Sequence, residues 1–127
     1  MHNPYTHNSS DPYVKIRLIH KGTRQSKWKT SIKRRTLNPE YKESFLFDVT
    51  HMELRDISFE ILIMDYDRFT ANDLVGVVYI GGHVVQESGR THWSNVLSSP
   101  LERISSWHYI LPTSIYKTYR SGKKLHH

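Results

Sequence analysis

The chain has 127 residues, of which 37% are hydrophobic and 24% charged, and it carries a formal net charge of +6. This length supports one globular domain with a modest core, and the apolar and aromatic content excludes a disordered chain. No apolar run is long enough to span a membrane, and nothing resembles a signal peptide. Because cysteine is absent, disulfides and thiolate metal sites are excluded, and the composition is compatible with the cytosol.

The positive charge is concentrated near the amino terminus. Between Pro12 and Pro39 there are nine basic residues and no acid. They are Lys15, Arg17, Lys21, Arg24, Lys27, Lys29, Lys33, Arg34 and Arg35. Such a block indicates an anionic partner, namely a lipid surface, a nucleic acid or an acidic protein. The alternative is a solubilising charged face that discourages aggregation at a sheet edge.

Two alternating segments carry most of this block. Residues 13–20 and 27–33 both show the period of two that is typical of half-buried strands, and Gly22 lies in the turn between them. Paired as a hairpin, they place five cations on one solvent face and Trp28 in the core. The five are Lys15, Arg17, Lys27, Lys29 and Lys33.

Further elements follow in chain order. The pattern predicts strands at 44–49, 57–64, 74–81 and 104–111, with 57–64 in the centre of a sheet, and a short helix at 91–97. The tail from Ile115 is expected to be weakly ordered. Short alternating strands separated by turns predict an antiparallel β-sandwich.

Three aspartates follow the most apolar of these strands. Asp65, Asp67 and Asp73 repel one another when close unless a cation neutralises them, and hard oxygen ligands suit Ca²⁺. An EF-hand is excluded, because its Gly and Glu positions hold Thr70 and Gly76. From the spacing alone, a calcium site of another architecture and a solvated acidic turn are equally consistent with this loop.

Several motifs in the same order resemble a C2 domain. The resemblance covers about residues 10–111 and is strongest to the second C2 domain of synaptotagmins and of the related rabphilin and Doc2 proteins. The motifs are Ser10-Asp11-Pro12-Tyr13-Val14-Lys15, Lys29-Thr30, Thr36-Leu37-Asn38-Pro39 with Tyr41, Glu43, Ser44, Phe45 and Phe47 after it, Asp65-Tyr66-Asp67 with Asp73 and Gly76, His92-Trp93, and Trp107-His108.

The resemblance implies an all-β fold, an antiparallel Greek-key β-sandwich of C2 type I topology with a short helix before the last strand. It divides the chain into a remnant of the first calcium loop at 1–10, the C2 domain at 11–111 and a basic tail at 112–127. The first two strands of the family have no counterpart here. A fragment, a divergent isoform, or a strand-exchanged dimer would each account for their absence.

The resemblance also implies a Ca²⁺ site between the loops and anionic phospholipid. Its ligands map onto Asp11, Asp65, Asp67 and Asp73, with the carbonyl of Tyr66 as a further ligand. Arg68 and Phe69 fall at the loop tip that dips into the bilayer. The strand around Lys27 and Lys29 matches a polybasic patch associated with phosphoinositide and SNARE contacts.

Two departures limit these implications. The family has another aspartate six residues before Asp11, where this chain has Tyr5, so calcium binding is expected to be weak or of reduced stoichiometry. Family members carry paired arginines before the last strand, at the end opposite the calcium loops. Here those positions hold Leu101 and Glu102, so bridging to a second membrane or a SNARE bundle through that end is not expected.

The sequence therefore predicts a binding module rather than an enzyme, because no catalytic motif is present. It would dock on anionic phospholipid, phosphatidylserine or phosphoinositide, under Ca²⁺ control during vesicle trafficking or exocytosis, as a cytoplasmic domain peripheral to membranes. The alternative is a Ca²⁺-independent interaction domain that grips an acidic partner, a SNARE or an adaptor, through its basic strand. A nucleic-acid partner is not expected, since no stacking pattern of exposed aromatics accompanies the charges.

Overall fold

A single antiparallel sheet organises the part of the chain that the computed structural model describes, residues 11–120. The strand order is β2-β1-β3-β4. In chain order the elements are β1 Pro12–His20, β2 Thr23–Lys29, a 3-10 helix His51–Asp56, β3 Ile57–Asp65, β4 Asp73–Gly81, α1 Glu87–Ser98 and α2 Thr113–Arg120. The proposed remnant at 1–10 and the end of the tail at 121–127 lie outside the described residues.

The central pair of strands, β1 and β3, is in continuous register from Pro12 opposite Asp65 to His20 opposite Ile57. The predicted strands at 13–20, 57–64 and 74–81 are confirmed, and β3 is interior as expected. The hairpin turn is Lys21-Gly22, with φ of 51° and 83°. Positive φ at both central residues is the geometry that matches the twist of a two-residue hairpin.

The second predicted strand is shifted. The β1–β2 ladder runs over Thr23–Lys29, so the predicted span of 27–33 was right only in its first residues. Beyond the ladder, the Thr30 and Lys33 amides still donate to the carbonyls of Val14 and Pro12, at 2.9 and 3.0 Å. The chain therefore stays beside β1 without the regular pairing of a strand.

Two predicted strands do not form ladders among the described residues. In 44–49, Phe45, Phe47 and Val49 are half-buried and alternate with exposed residues, as the sequence predicted, but no strand within residues 11–120 pairs with them. In 104–111, the pairing seen in the described part of the chain is a bridge from Leu111 to Val77. Without a hydrogen-bonded neighbour, the correct alternation of side chains does not make a strand.

One face of the sheet carries a row of aromatic rings. Trp28, Phe47, Phe59 and Trp93 follow one another with ring centroids 4.2, 4.9 and 5.7 Å apart, all edge to face. Each such pair stabilises by about 1 kcal/mol beyond simple burial. They surround buried Leu18 and Ile57 and confirm Trp28 as a core residue.

Helix α1 contains the predicted helix at 91–97 and is longer than expected. It lies against the outer edge of β4, where the Tyr79 amide donates to Gln86 Oε1 at 2.9 Å. His92, from the His92-Trp93 motif, is hydrogen-bonded to His108 at 2.9 Å, and His108 in turn contacts Ser88 Oγ at 2.7 Å. These contacts hold the 104–108 segment on α1.

The prediction of a weakly ordered tail from Ile115 is wrong for the described part of that tail, which ends at Arg120. Thr113–Arg120 forms helix α2, with Tyr116 buried against the second face of the sheet. Ile115, Tyr116 and Tyr119 share one side of this helix, so burial of an amphipathic face offsets its cost of ordering.

Replacing Gly89 by alanine tests the contact between α1 and β4. A Cβ at this position would overlap the carbonyl oxygen of Tyr79. At a solvent-exposed helix position, replacing glycine by alanine stabilises a protein by up to about 1 kcal/mol. Here we expect a loss of about 1–3 kcal/mol in the free energy of unfolding, measured with urea, because of the close packing. At Gly82 a Cβ meets nothing within 4 Å, and Gly82→Ala is expected to change stability by less than about 0.5 kcal/mol. Equal effects would contradict this packing.

Candidate functional site: an acidic sheet end and a basic sheet face

The start of β1, the end of β3 and the start of β4 meet at one end of the sheet. Asp65 is opposite Pro12 on one side and opposite Asp73 on the other. The Asp11 amide donates to Asp65 Oδ1 at 3.0 Å, and the Tyr66 amide donates to the Asp11 carbonyl at 2.9 Å. The register thus brings three of the predicted calcium-ligand positions together.

The fourth position, Asp67, is used by its own loop. Its carboxylate accepts hydrogen bonds from the Phe69 amide at 2.8 Å and from the Thr70 hydroxyl at 2.9 Å. These bonds hold the pKa of Asp67 below its ordinary value, and the bond from the Phe69 amide has the largest effect. Asn72 fixes the loop to β1, since it accepts from the Asp67 amide and donates to the Tyr13 hydroxyl.

Asp11 has two basic neighbours. Its Oδ1 accepts from the Arg35 amide at 2.7 Å, and its Oδ2 lies 3.7 Å from Arg34 Nη1. The Arg34 guanidinium also lies over the ring of Tyr66, 4.9 Å from its centroid. The carboxylate that the resemblance assigns to calcium is therefore neutralised from within the chain.

This donor set has the chemistry of a calcium site but not its arrangement. Carboxylate and carbonyl oxygens are what Ca²⁺ prefers. Among residues 11–120, however, no three acidic or histidine side chains are placed so that they could hold one ion. Tyr5, the departure from the family pattern, lies outside that range.

The predicted loop tip is exposed. Phe69 has 85% of its surface accessible, and the Arg68 guanidinium lies 5.5 Å from the centre of its ring. An apolar ring beside a cation is suited to the boundary between lipid headgroups and acyl chains.

The predicted basic face is present on β1 and β2. Lys15 is opposite Lys29, and Arg17 is opposite Lys27, so four cations share one side of two adjacent strands. Burial, followed by repulsion from Arg17, Lys29 and Lys27, lowers the pKa of Lys15. Lys33, the fifth predicted member, follows the end of the β1–β2 ladder.

Arg17 differs from the other three cations because it is paired internally. Its Nη1 donates to Glu60 Oε1 at 3.2 Å and to the Tyr116 hydroxyl at 3.0 Å, and its side chain is only 16% exposed. No acidic group of the described residues lies within ion-pair distance of Lys15, Lys27 or Lys29. Lys15, Lys27 and Lys29 therefore form a basic face without internal partners, and the name basic face refers to these three residues.

Sequence reasoning missed Glu60, Tyr79 and Tyr116. Glu60 is 4% exposed on β3, between Arg17 on β1 and Tyr79 on β4, whose hydroxyl donates to Glu60 Oε2 at 3.2 Å. Burial and the neighbouring Glu60 raise the pKa of Tyr79, which keeps its hydroxyl protonated as a donor. Two features of the sequence could have indicated these residues. Glu60 is a single acid inside an apolar strand, and Tyr116 and Tyr119 have the spacing of one helix face.

A model of the C2 domain family matches residues 2–96. The chain belongs to the C2 domain family. Three synaptotagmins are similar to it. Human synaptotagmin-3 is 37% identical over 91% of this chain, rat synaptotagmin-9 is 46% identical over 81%, and mouse synaptotagmin-11 is 44% identical over 79%. The chain covers 20%, 21% and 23% of these relatives, so it spans about a fifth of their length.

Among solved structures, a C2 domain of RIM from Drosophila is similar at a TM-score of 0.53 and 28% identity. The match covers 61% of this chain and 63% of the other. The all-β C2 fold class predicted from the sequence is confirmed by this neighbour and by the antiparallel sheet. Within residues 11–120, no helix has the length and apolar character required to cross a bilayer.

Removing the Tyr116 hydroxyl tests how α2 is fixed to the sheet. Tyr116→Phe deletes one acceptor of Arg17 while keeping the buried ring, and we expect a loss of about 1 kcal/mol in the free energy of unfolding. Tyr109→Phe, at a residue that is 90% exposed, is the matched control and should leave the urea midpoint unchanged. A midpoint shift of the same size in both variants would contradict the assigned hydrogen bond.

Proposed function

We propose that this C2 domain is a membrane-trafficking module that docks on anionic phospholipid through its basic face. The observation that supports this most is the placement of Lys15, Lys27 and Lys29 on two adjacent strands, without acidic neighbours among the described residues, while Arg17 is already paired with Glu60. Such a surface has a positive potential that residues 11–120 do not themselves cancel.

The expected strength of the contact follows from the charge count. Each Lys near an anionic leaflet contributes about 1 kcal/mol, so the basic face contributes about 3 kcal/mol at moderate ionic strength. This attraction is screened over about 10 Å at 0.1 M salt. Binding through this face should therefore weaken steeply as salt is added. Exposed Phe69 would add an apolar contact at the acidic end of the sheet.

Calcium is a second part of the proposal. We infer that Asp11, Asp65, Asp67, Asp73 and the Tyr66 carbonyl bind Ca²⁺ only weakly, because no three acidic side chains of residues 11–120 are already arranged around one position. Arg34 and the Asp67 loop compete for two of the carboxylates, because both are already satisfied by internal donors. A bound ion would supply positive charge at this end of the sheet.

The second candidate is a Ca²⁺-independent interaction with an acidic protein, a SNARE or an adaptor, through the same basic face. It is favoured by the internal donors to Asp11 and Asp67, which stabilise these carboxylates without a metal ion. The two candidates share a surface and differ in the partner and in the requirement for calcium.

Co-sedimentation with phosphatidylserine liposomes, in about millimolar Ca²⁺ and in chelator, tests the proposal. We expect the wild type to bind in chelator and somewhat better in calcium. Lys27→Gln/Lys29→Gln should lower the bound fraction at least fivefold in both conditions. Asp65→Asn/Asp67→Asn should remove only the increase caused by calcium.

Lys42→Gln/Arg103→Gln is the matched control, because it removes the same charge at exposed positions outside β1 and β2. If the control lowers binding as much as the β2 variant, net charge rather than the basic face is responsible. If no variant or condition gives binding, the membrane proposal is wrong, and the acidic-protein candidate takes its place.

A further inference from the structure

Residues 104–110 are attached to helix α1 through two histidines. Among the described residues, the hydrogen bonds that join this segment to α1 all use a histidine ring nitrogen. His92 Nε2 bonds the Ile104 carbonyl at 3.2 Å, His92 Nδ1 bonds His108 Nε2 at 2.9 Å, and His108 Nδ1 bonds Ser88 Oγ at 2.7 Å. A further bond runs from the Gln86 side chain, at the N-cap of α1, to the Tyr109 carbonyl. The attachment therefore depends on the state of the two rings.

The Ile104 carbonyl determines where each proton of this chain of bonds lies. A carbonyl oxygen only accepts, so His92 Nε2 carries a proton and donates it. A neutral imidazole has a single N–H, which leaves His92 Nδ1 as an acceptor for His108 Nε2–H. For the same reason His108 Nδ1 accepts from the Ser88 hydroxyl. With both rings neutral, every bond of the chain is made.

The chain also takes up one proton without losing a bond. When His108 Nδ1 is protonated it donates to Ser88 Oγ, because a hydroxyl can turn from donor to acceptor. The bonds to His92 Nδ1 and to the Ile104 carbonyl stay as they were. A single charged ring is therefore compatible with the attached segment.

A second proton has no such solution. With both rings charged, His92 Nδ1–H and His108 Nε2–H would point at each other across 2.9 Å, with no acceptor between them. The two rings are also stacked, with centroids 5.1 Å apart, so two positive charges would repel at short range. The geometry of the attached segment thus permits one proton on the pair but not two.

No carboxylate of the described residues offsets the second charge. Burial, followed by repulsion from His92, lowers the pKa of His108, and no other group within residues 11–120 contributes to this shift. The pair therefore titrates as a coupled unit.

The charged groups of the surrounding elements are exposed or bonded elsewhere. Glu87 and Arg90 on α1, and Glu102 and Arg103 before the segment, are exposed. On the 3-10 helix, whose Leu54 carbonyl accepts from Trp93 of α1, Arg55 is exposed and Glu53 accepts from the Thr50 amide. On β4, the Tyr79 hydroxyl donates to Glu60.

The proton balance favours release of the segment in acid. Once released, the two histidines titrate near the ordinary value of about 6.5 and take up two protons, whereas the attached pair holds one at most. A difference of one proton favours release about tenfold for each pH unit below about 6.5. The attachment is therefore intact above the ordinary histidine pKa and is lost as the pH falls below it.

We propose that His92 and His108 form a pH-sensitive contact, which holds residues 104–110 on α1 while at most one ring is charged and releases them when both are. The released segment remains tied at Ser99, whose amide caps α1, and at Leu111, which pairs with Val77. Between these points the exposed Trp107 and Tyr109 rings become free to reorient. The contact lies beside β4, at the edge of the sheet opposite β2, and it does not depend on the membrane docking proposed above.

NMR spectra of the ring nitrogens in the ¹⁵N-labelled wild type test the proton positions. At about pH 7.5, where histidines are neutral, long-range ¹H–¹⁵N correlations should show both His92 and His108 as Nε2–H tautomers. An Nδ1–H tautomer in either ring would overturn the proposal, because the protons would then not follow the chain from Ser88 to Ile104. This measurement needs no variant.

Backbone order parameters measure the release itself. In the wild type, the amides of Ser106 and Trp107 should fall from about 0.85 at about pH 7.5 to below about 0.6 at about pH 5, while those of Ile16 and Ile61 in the central strands remain near 0.85. Unchanged order in the segment at about pH 5 would overturn the proposal.

His108→Gln separates this contact from a general effect of acid. Its side-chain amide donates to His92 Nδ1 when that ring is neutral and can turn to accept when the ring is charged, so the segment should stay ordered at both pH values. His83→Gln, at an exposed histidine outside the contact, is the matched control and should behave as the wild type does. An equal loss of order in His108→Gln and in the wild type would contradict the proposed contact.

Discussion

The register of β1 against β3 is the constraint on which the rest of the structure depends. Nine residues pair on each strand, from Pro12 with Asp65 to His20 with Ile57. Because successive side chains point to opposite faces, a slip of one residue would exchange the faces of every side chain on β1. The observed register puts Leu18 in the aromatic core and Lys15 and Arg17 on the opposite side.

That register also separates charge along the sheet. At one end it collects aspartates from three segments, and in the middle it pairs Arg17 with Glu60. The buried Glu60 is what makes the middle stable, because an unpaired Arg17 facing a covered sheet would be costly. Helix α2 contributes to this pairing through the Tyr116 hydroxyl, and Lys27 and Lys29 on β2 remain exposed.

Much of this arrangement follows from the sequence, because alternation is a local property. The pattern of Tyr13–His20 and Ile57–Met64 predicted both strands, and the spacing of Lys27 and Lys29 predicted their common face. Pairing is not local, so 44–49 and 104–111 have the side-chain alternation of strands without a ladder in the described part of the chain. The sequence likewise predicted Asp11 and Asp67 as calcium ligands. It did not show that their carboxylates already contact Arg34 and Thr70. The basic residues of the tail led to a prediction of weak order, although Ile115, Tyr116 and Tyr119 form the apolar side of helix α2.

In the proposed docking, the β1–β2 face, rather than another surface of the domain, faces an anionic bilayer. Paramagnetic relaxation enhancement from spin-labelled lipid in phosphatidylserine nanodiscs measures this directly on the folded domain in chelator. We expect strong broadening of the amide signals of Lys27 and Lys29 and none at Asn95 on α1. Broadening that is strongest on α1, or equal over the whole surface, would contradict it.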